Sequence, residues 1–129
     1  MLVVDASVVA PLVGDGGPDG DLSRAAVRGQ VLAAPDFLRV EVLSVIRRHV
    51  TSGELTQRQA NHAVEDLLAL PITLYPTTPL LRRCWELRSN VTSYDACYIA
   101  LAEALDVVLL TSDAKLAKAP GTRCTFQLV

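Results

Sequence analysis

Leu2-Val3-Val4 and Val107-Val108-Leu109-Leu110 are apolar at every position. A strand with one wet face alternates apolar and polar residues, whereas an unbroken apolar run marks a strand covered on both faces. Strands of that kind belong to parallel sheets with helices on either side. Further short runs support this pattern. Val31 to Ala33 and Ile72 to Tyr75 read as strands, and Cys124 to Leu128 as a last, edge-like one.

The intervening segments read as helix or loop. Val8 to Val13 opens a short helix, and Leu22 to Arg28 forms another. Between them, Gly14 to Asp21 holds four glycines, three aspartates and a proline, a loop composition. Pro35-Asp36 starts a long helix that ends near Ser52, before Gly53. Thr56 to Gln59 has the spacing of a capping box for a helix ending near Leu70. Helices are also expected from Thr78-Pro79 to Ser89, from Ser93 to Leu105 and, briefly, from Lys115 to Ala119. Strand and helix therefore alternate, the signature of an α/β fold.

With 129 residues, no repeat and no linker, the chain reads as a single domain spanning 1–129. Half of it is hydrophobic and aromatics are few, so Val, Leu, Ala and Ile must fill the core. The net charge of −2 offers no general attraction for nucleic acid; any such partner would need a local basic patch and a counter-ion at acidic sites. Cys84, Cys97 and Cys124 are odd in number and lack metal-knuckle spacing. They read as buried reduced thiols, which suits the cytoplasm. The apolar N-terminal stretch is too short to span a membrane and lacks a basic leader, so a soluble protein is expected.

Four carboxylates stand out. Asp5 follows the first apolar strand and Asp113 follows the Val107 run, so both fall at carboxyl ends of strands, where open parallel sheets bind ligands. Each could instead cap the next helix. Glu41 shares a helix face with Phe37, Leu38 and Val45, an apolar setting that disfavours a lone charge. Asp95 is the only charge in the stretch from Tyr94 to Ala102. A favourable helix dipole of ~0.3–1 kcal/mol would scarcely offset burying it unpaired. Clustered carboxylates repel one another unless a hard cation such as Mg²⁺ or Mn²⁺ lies among them. Histidine and cysteine chemistry has no comparable support: His49 and His62 lie on polar helices, and no Ser-His-Asp spacing exists.

These motifs resemble one known family. Val3-Val4-Asp5-Ala6-Ser7, Pro35 through Glu41-Val42-Leu43, Thr92-Ser93-Tyr94-Asp95-Ala96 with Tyr98 to Ala102, and Leu109 to Asp113 look like the PIN-domain VapC family, toxins of bacterial toxin–antitoxin pairs. The resemblance covers nearly the whole chain. It implies a three-layer α/β/α sandwich around a mainly parallel sheet, and endonucleolytic cleavage of RNA, often transfer or ribosomal RNA, with Mg²⁺ or Mn²⁺ as cofactor. It implies a homodimer and a cognate antitoxin that occupies the site. Asp5, Glu41, Asp95 and Asp113 match the acidic quartet, with Asp5 and Asp95 as main metal ligands. Ser7 and Thr111 would orient Asp5 and Asp113.

Arg39, Arg47, Arg48, Arg82, Arg83, Arg88, Lys115, Lys118 and Arg123 remain as candidates for RNA contact or as solvated helix faces. Receiver domains want adjacent acids near the N-terminus, and haloacid-dehalogenase-like phosphatases want Asp-x-Asp; here Ser7 stands in the second place. A non-catalytic PIN scaffold acting through a partner is the other alternative, and the intact quartet argues against it.

Overall fold

Val3, Val4, Leu109 and Leu110 have no solvent exposure at all, and they pair directly. In the computed structural model, which describes residues 1–129, β1 (Leu2–Val4) lies beside β4 (Val108–Thr111) with Val4 opposite Leu110. On its other side β1 meets β2 (Leu32–Pro35), which meets β3 (Ile72–Tyr75); β5 (Phe126–Leu128) closes the far edge beside β4. The five strands run in the order β3-β2-β1-β4-β5, and every pair is parallel.

Six helices cover the sheet: α1 (Ala6–Gly14), α2 (Pro18–Val27), α3 (Leu38–Thr51), α4 (Gln57–Ala69), α5 (Leu81–Glu86) and α6 (Ser93–Leu105). The first four pack on one another; α5 packs on α6, and α6 rests on β1, β2 and β4. This is the three-layer α/β/α arrangement. Residues Ala96 to Ala102 of α6 are all buried, as a helix apolar on every side must be. The expected capping box forms: Gln59 N–H donates to Thr56 Oγ1, and Thr56 N–H donates to Gln59 Oε1.

The structure departs from the sequence reading in four places. The segment from Gly14 to Asp21 is mostly helical, with only Asp15 to Gly17 linking α1 to α2. Pro18 at the first helical position and acids at Asp19 and Asp21 favour this start. Gly20 is there for contact: a Cβ would lie 1.8 Å from the Asp15 carbonyl oxygen. Pro35 does not open a helix but ends β2, paired with Tyr75, and α3 begins at Leu38. Proline lacks a donor, and the ladder continues through Asp36 N–H to the Tyr75 carbonyl at 2.9 Å. The single helix expected over Thr78 to Ser89 is a 3₁₀ turn (Thr78–Leu80) followed by the short α5. Leu87 N–H bonds back to both Arg83 and Cys84 carbonyls, tightening and ending the helix. The last expected helix is one 3₁₀ turn, Leu116–Lys118.

Candidate active site

Sheet order determines where ligands approach. From β1 the chain winds outward through β2 to β3, then crosses back to β4 on the opposite side of β1. The carboxyl ends of β1 and β4 therefore flank the topological switch point, where a crevice opens in folds of this kind. Asp5 leaves β1 there, and Thr111 ends β4 beside it.

Asp5 sits at the N-terminus of α1, yet its side chain caps no backbone N–H. Both oxygens serve hydroxyls instead. Ser7 Oγ donates to Oδ1, and Thr111 Oγ1 donates to Oδ2 at 2.6 Å. Asp5 is only 6% exposed and Thr111 is fully buried. Burial raises the Asp5 carboxyl above its usual range, the two hydroxyls pull it down, and the Asp95 charge pushes it up. Ser7 and Thr111 also bind the segment after β4. Ser112 N–H donates to Ser7 Oγ at 2.9 Å, and Asp113 N–H donates to Thr111 Oγ1 at 3.1 Å.

Asp95 lies in the first turn of α6, half-buried, with its own N–H donated to the capping hydroxyl of Thr92 at 3.2 Å. Its carboxyl is raised mainly by burial and further by Asp113. Glu41 lies in the first turn of α3. Tyr98 O–H donates to Glu41 Oε1 at 2.6 Å, but burial outweighs that bond and, with Asp95 and Asp5, raises the Glu41 carboxyl. Asp113 is exposed and does act as a cap: its Oδ1 accepts from Lys115 and Leu116 N–H at 3.0 and 3.1 Å.

The four acids thus stand within one another's electrostatic reach around the crevice. They do not close into a ready-made set of three ligands, because Glu41 is turned to Tyr98 and Asp113 to the backbone. All donors are hard oxygens, which suits Mg²⁺ or Mn²⁺. Mg²⁺ needs only one or two carboxylates, the rest being waters and substrate phosphate. The residues present fit such an ion.

Comparison with known proteins identifies the family and the fold. A family model described as the PIN domain matches residues 2–121. Ribonuclease VapC1 of Mycobacterium tuberculosis is 43% identical over 128 residues, covering 98% of this chain and 96% of that one. The chain belongs to the VapC family of PIN domains. Among solved structures, the Sarcin-Ricin loop cleaving toxin VapC20 of Mycobacterium tuberculosis shares the fold at a TM-score of 0.71 and 16% identity, covering 95% of this chain and 97% of that one. VapBC2 of Rickettsia felis does so at 0.67 and 10%, covering 98% and 97%.

Within this PIN domain several basic candidates turn out to be structural. Arg39 donates to the Leu67 and Leu70 carbonyls at the end of α4. Arg83 pairs with Glu103 at 2.7 Å and donates to the Gly121 carbonyl; its hydrogen bonds to Glu103 and Glu86 hold the guanidinium firmly charged against the opposing effect of burial. At Arg123 it is the backbone N–H, not the guanidinium, that donates to Glu103. Tyr98 is the residue that sequence reasoning missed at the site. It is 1% exposed and its ring meets Phe37 edge-on at 5.6 Å. Its spacing of three from Asp95, one helical turn, was the available signal. The thiols are unpaired; Cys84 and Cys97 are buried, 3.5 Å apart at sulfur, and Cys97 is pushed up to about 12. No helix is long and apolar enough to cross a membrane.

Proposed function

We propose that this single-domain chain is a metal-dependent endoribonuclease, the toxin of a toxin–antitoxin pair. The observation that carries the reading is the acidic crevice at the β1–β4 switch point, where burial, with repulsion from neighbouring acids added to it, raises Asp5, Glu41 and Asp95. Asp5 and Asp95 would hold Mg²⁺, with Mn²⁺ as a substitute, and Glu41 and Asp113 would complete the shell partly through water. When bound, such an ion polarises the phosphate and stabilises charge on the leaving oxygen.

The chain's own residues do the rest. Ser7 and Thr111 hold both Asp5 oxygens, so that carboxylate has no freedom to swing. Tyr98 holds Glu41 Oε1 and leaves Oε2 free. A carboxylate with a raised pKa is a better proton acceptor. Glu41 Oε2 therefore takes the proton of the attacking water as the new P–O bond forms. The P–O bond to the leaving ribose oxygen breaks, and that oxygen leaves as a hydroxyl with a proton from solvent.

The partner we propose besides RNA is an antitoxin. Asp15, Asp19 and Glu54, with apolar Leu22, Val45 and Leu55, line a groove of ≈ 610 Å³ beside Ser7. That mixture suits a segment with basic and apolar side chains, including an Arg that pairs with carboxylates. A homodimer is also proposed, supported by exposed Val40, Leu43, Leu81, Trp85 and Tyr94 on α3, α5 and the start of α6. The cytoplasm is the location that unpaired thiols fit. Cleavage of a mixed RNA pool is assayed in Mg²⁺, Mn²⁺, Ca²⁺ and EDTA. Activity is expected with Mg²⁺ and Mn²⁺, little with Ca²⁺, and none with EDTA. Undiminished cleavage in EDTA refutes the mechanism.

A further inference from the structure

The acidic crevice opens into grooves on two flanks, and their charges differ. The flank beside α1 carries Asp15, Asp19 and Glu54, against His49 alone, and His49 already faces Glu54 at 3.8 Å. The other flank is a groove of ≈ 850 Å³ that contains Asp95 and Asp113 together with Arg88, Lys115 and Lys118. None of those three cations is spent on an ion pair. All three are exposed.

Their placement relative to the acids is built in. Asp113 Oδ1 accepts from the backbone N–H of Lys115 and Leu116, so the turn carrying both lysines is tied to that carboxylate. Arg88 is steadied by its own bond to the Trp85 carbonyl at 2.9 Å and by lying 4.6 Å over the Trp85 ring. Asn90, also in the groove, bonds the Pro120 carbonyl and joins the two walls. An electropositive channel leading to an acidic centre suits a polyanion whose backbone must be held while one phosphate meets the acids.

We infer that single-stranded RNA enters the site along this one groove, its phosphates held by Arg88, Lys115 and Lys118, and that the acidic α1 flank holds no RNA. The inference rests on the nuclease reading above and deepens it. It gives the substrate a direction: the bound strand extends from Asp95 and Asp113 toward Arg88, past the α5–α6 connection. The three cations are positioning residues. They act on substrate binding, not on the proton transfer at Glu41.

The test uses the full chain and a fluorescein-labelled single-stranded RNA of mixed sequence. Binding is read by fluorescence anisotropy in EDTA across a salt titration. Arg88→Ala, Lys115→Ala and Lys118→Ala are measured singly and together, beside Asp15→Asn with Glu54→Gln on the other flank, with thermal melts as a check on folding. Each lost phosphate contact to a single strand lowers the salt slope by about 0.7, which is ~5-fold in affinity at ~0.1 M salt. The triple variant should therefore bind ~10²-fold more weakly, while the acidic-flank variant stays within about two-fold. The same RNA is then cleaved in Mg²⁺, where the triple variant should raise KM and leave kcat nearly unchanged. A triple variant with unaltered affinity, slope and KM overturns the groove while wild-type cleavage keeps the nuclease reading. Binding lost in the triple variant, with no cleavage by the wild type, overturns the nuclease reading and keeps the groove. A wild type that neither binds nor cleaves overturns both.

Discussion

Thr111→Val removes one oxygen and changes little else in shape. Thr111 is fully buried, so the new methyl meets protein, not water. Two interactions disappear: the 2.6 Å bond that Thr111 donates to Asp5 Oδ2, and the 3.1 Å bond it accepts from Asp113 N–H. The first involves a charged, buried acceptor, worth ~1.5–3 kcal/mol; the second is a neutral bond of about 1 kcal/mol. Asp5 keeps its bond from Ser7, so the combined loss is taken as ~2–4 kcal/mol. With ~2.1 cal/mol/K of unfolding entropy per residue, the 129-residue chain should melt roughly 7–15 °C lower. The loss also carries a pH signature. Thr111 bonds to the ionised form and pulls the Asp5 carboxyl down against burial, so without it that carboxyl rises further. A raised carboxyl contributes stability fully present below its unfolded value of 3.8 and lost as pH rises through its folded value. The gap between wild type and variant should therefore be wide at neutral pH and narrow toward pH 4. Scanning calorimetry from pH 4 to 8 measures it, with Thr111→Ser restoring the hydroxyl and most of the stability. A pH-independent loss, or a loss below about 0.5 kcal/mol, would show that the hydroxyl does not hold Asp5 and that the argument is wrong.

Asp95→Asn should cut RNA cleavage by at least ~10²-fold, yet the metal-free variant should melt higher than wild type at pH 7, because burial and Asp113 raise the carboxyl it replaces; a full-rate nuclease rules Asp95 out of the site. Wild-type stability without metal should be greater near pH 4.5 than at pH 7, since burial and neighbouring acids raise Asp5, Glu41 and Asp95 while lowered Glu103 begins to cost only below its unfolded 4.5; calorimetry giving a flat or falling trend would contradict the burial and crowding of these carboxyls. Tyr98→Phe should cost ~1–2 kcal/mol and move the acid limb of the pH–rate profile upward, because Glu41 loses the bond that holds its carboxyl down; an unmoved limb would detach Glu41 from the proton transfer. Asp106 ends α6 in the left-handed region at φ 53°, so Asp106→Gly should stabilise by about 1 kcal/mol, or ~4 °C in a thermal melt.

Much of this molecule is legible one segment at a time. Unbroken apolar runs identified buried parallel strands, because a strand covered on both faces has no polar side to show. The Thr56–Gln59 box and the apolar stretch of α6 marked helices through purely local rules. Asp5 and Asp113 were readable as strand-end acids for the same reason. Local rules failed where a residue's role depends on a distant backbone. Gly20 lies in a stretch of loop composition, yet it is required inside α2 because the Asp15 carbonyl fills the space of a Cβ there. Arg39 and Arg83 looked like free cations, and only packing showed that they serve the end of α4 and Glu103. Tyr98 meets Glu41 across 57 positions, and Thr111 meets Asp5 across 106. Residue type and period set what each segment becomes, since dihedral preferences and burial act over a few residues. Which carboxylate receives which hydroxyl depends on strand register and on side chains locked by the core, and those exist only once distant segments have packed together.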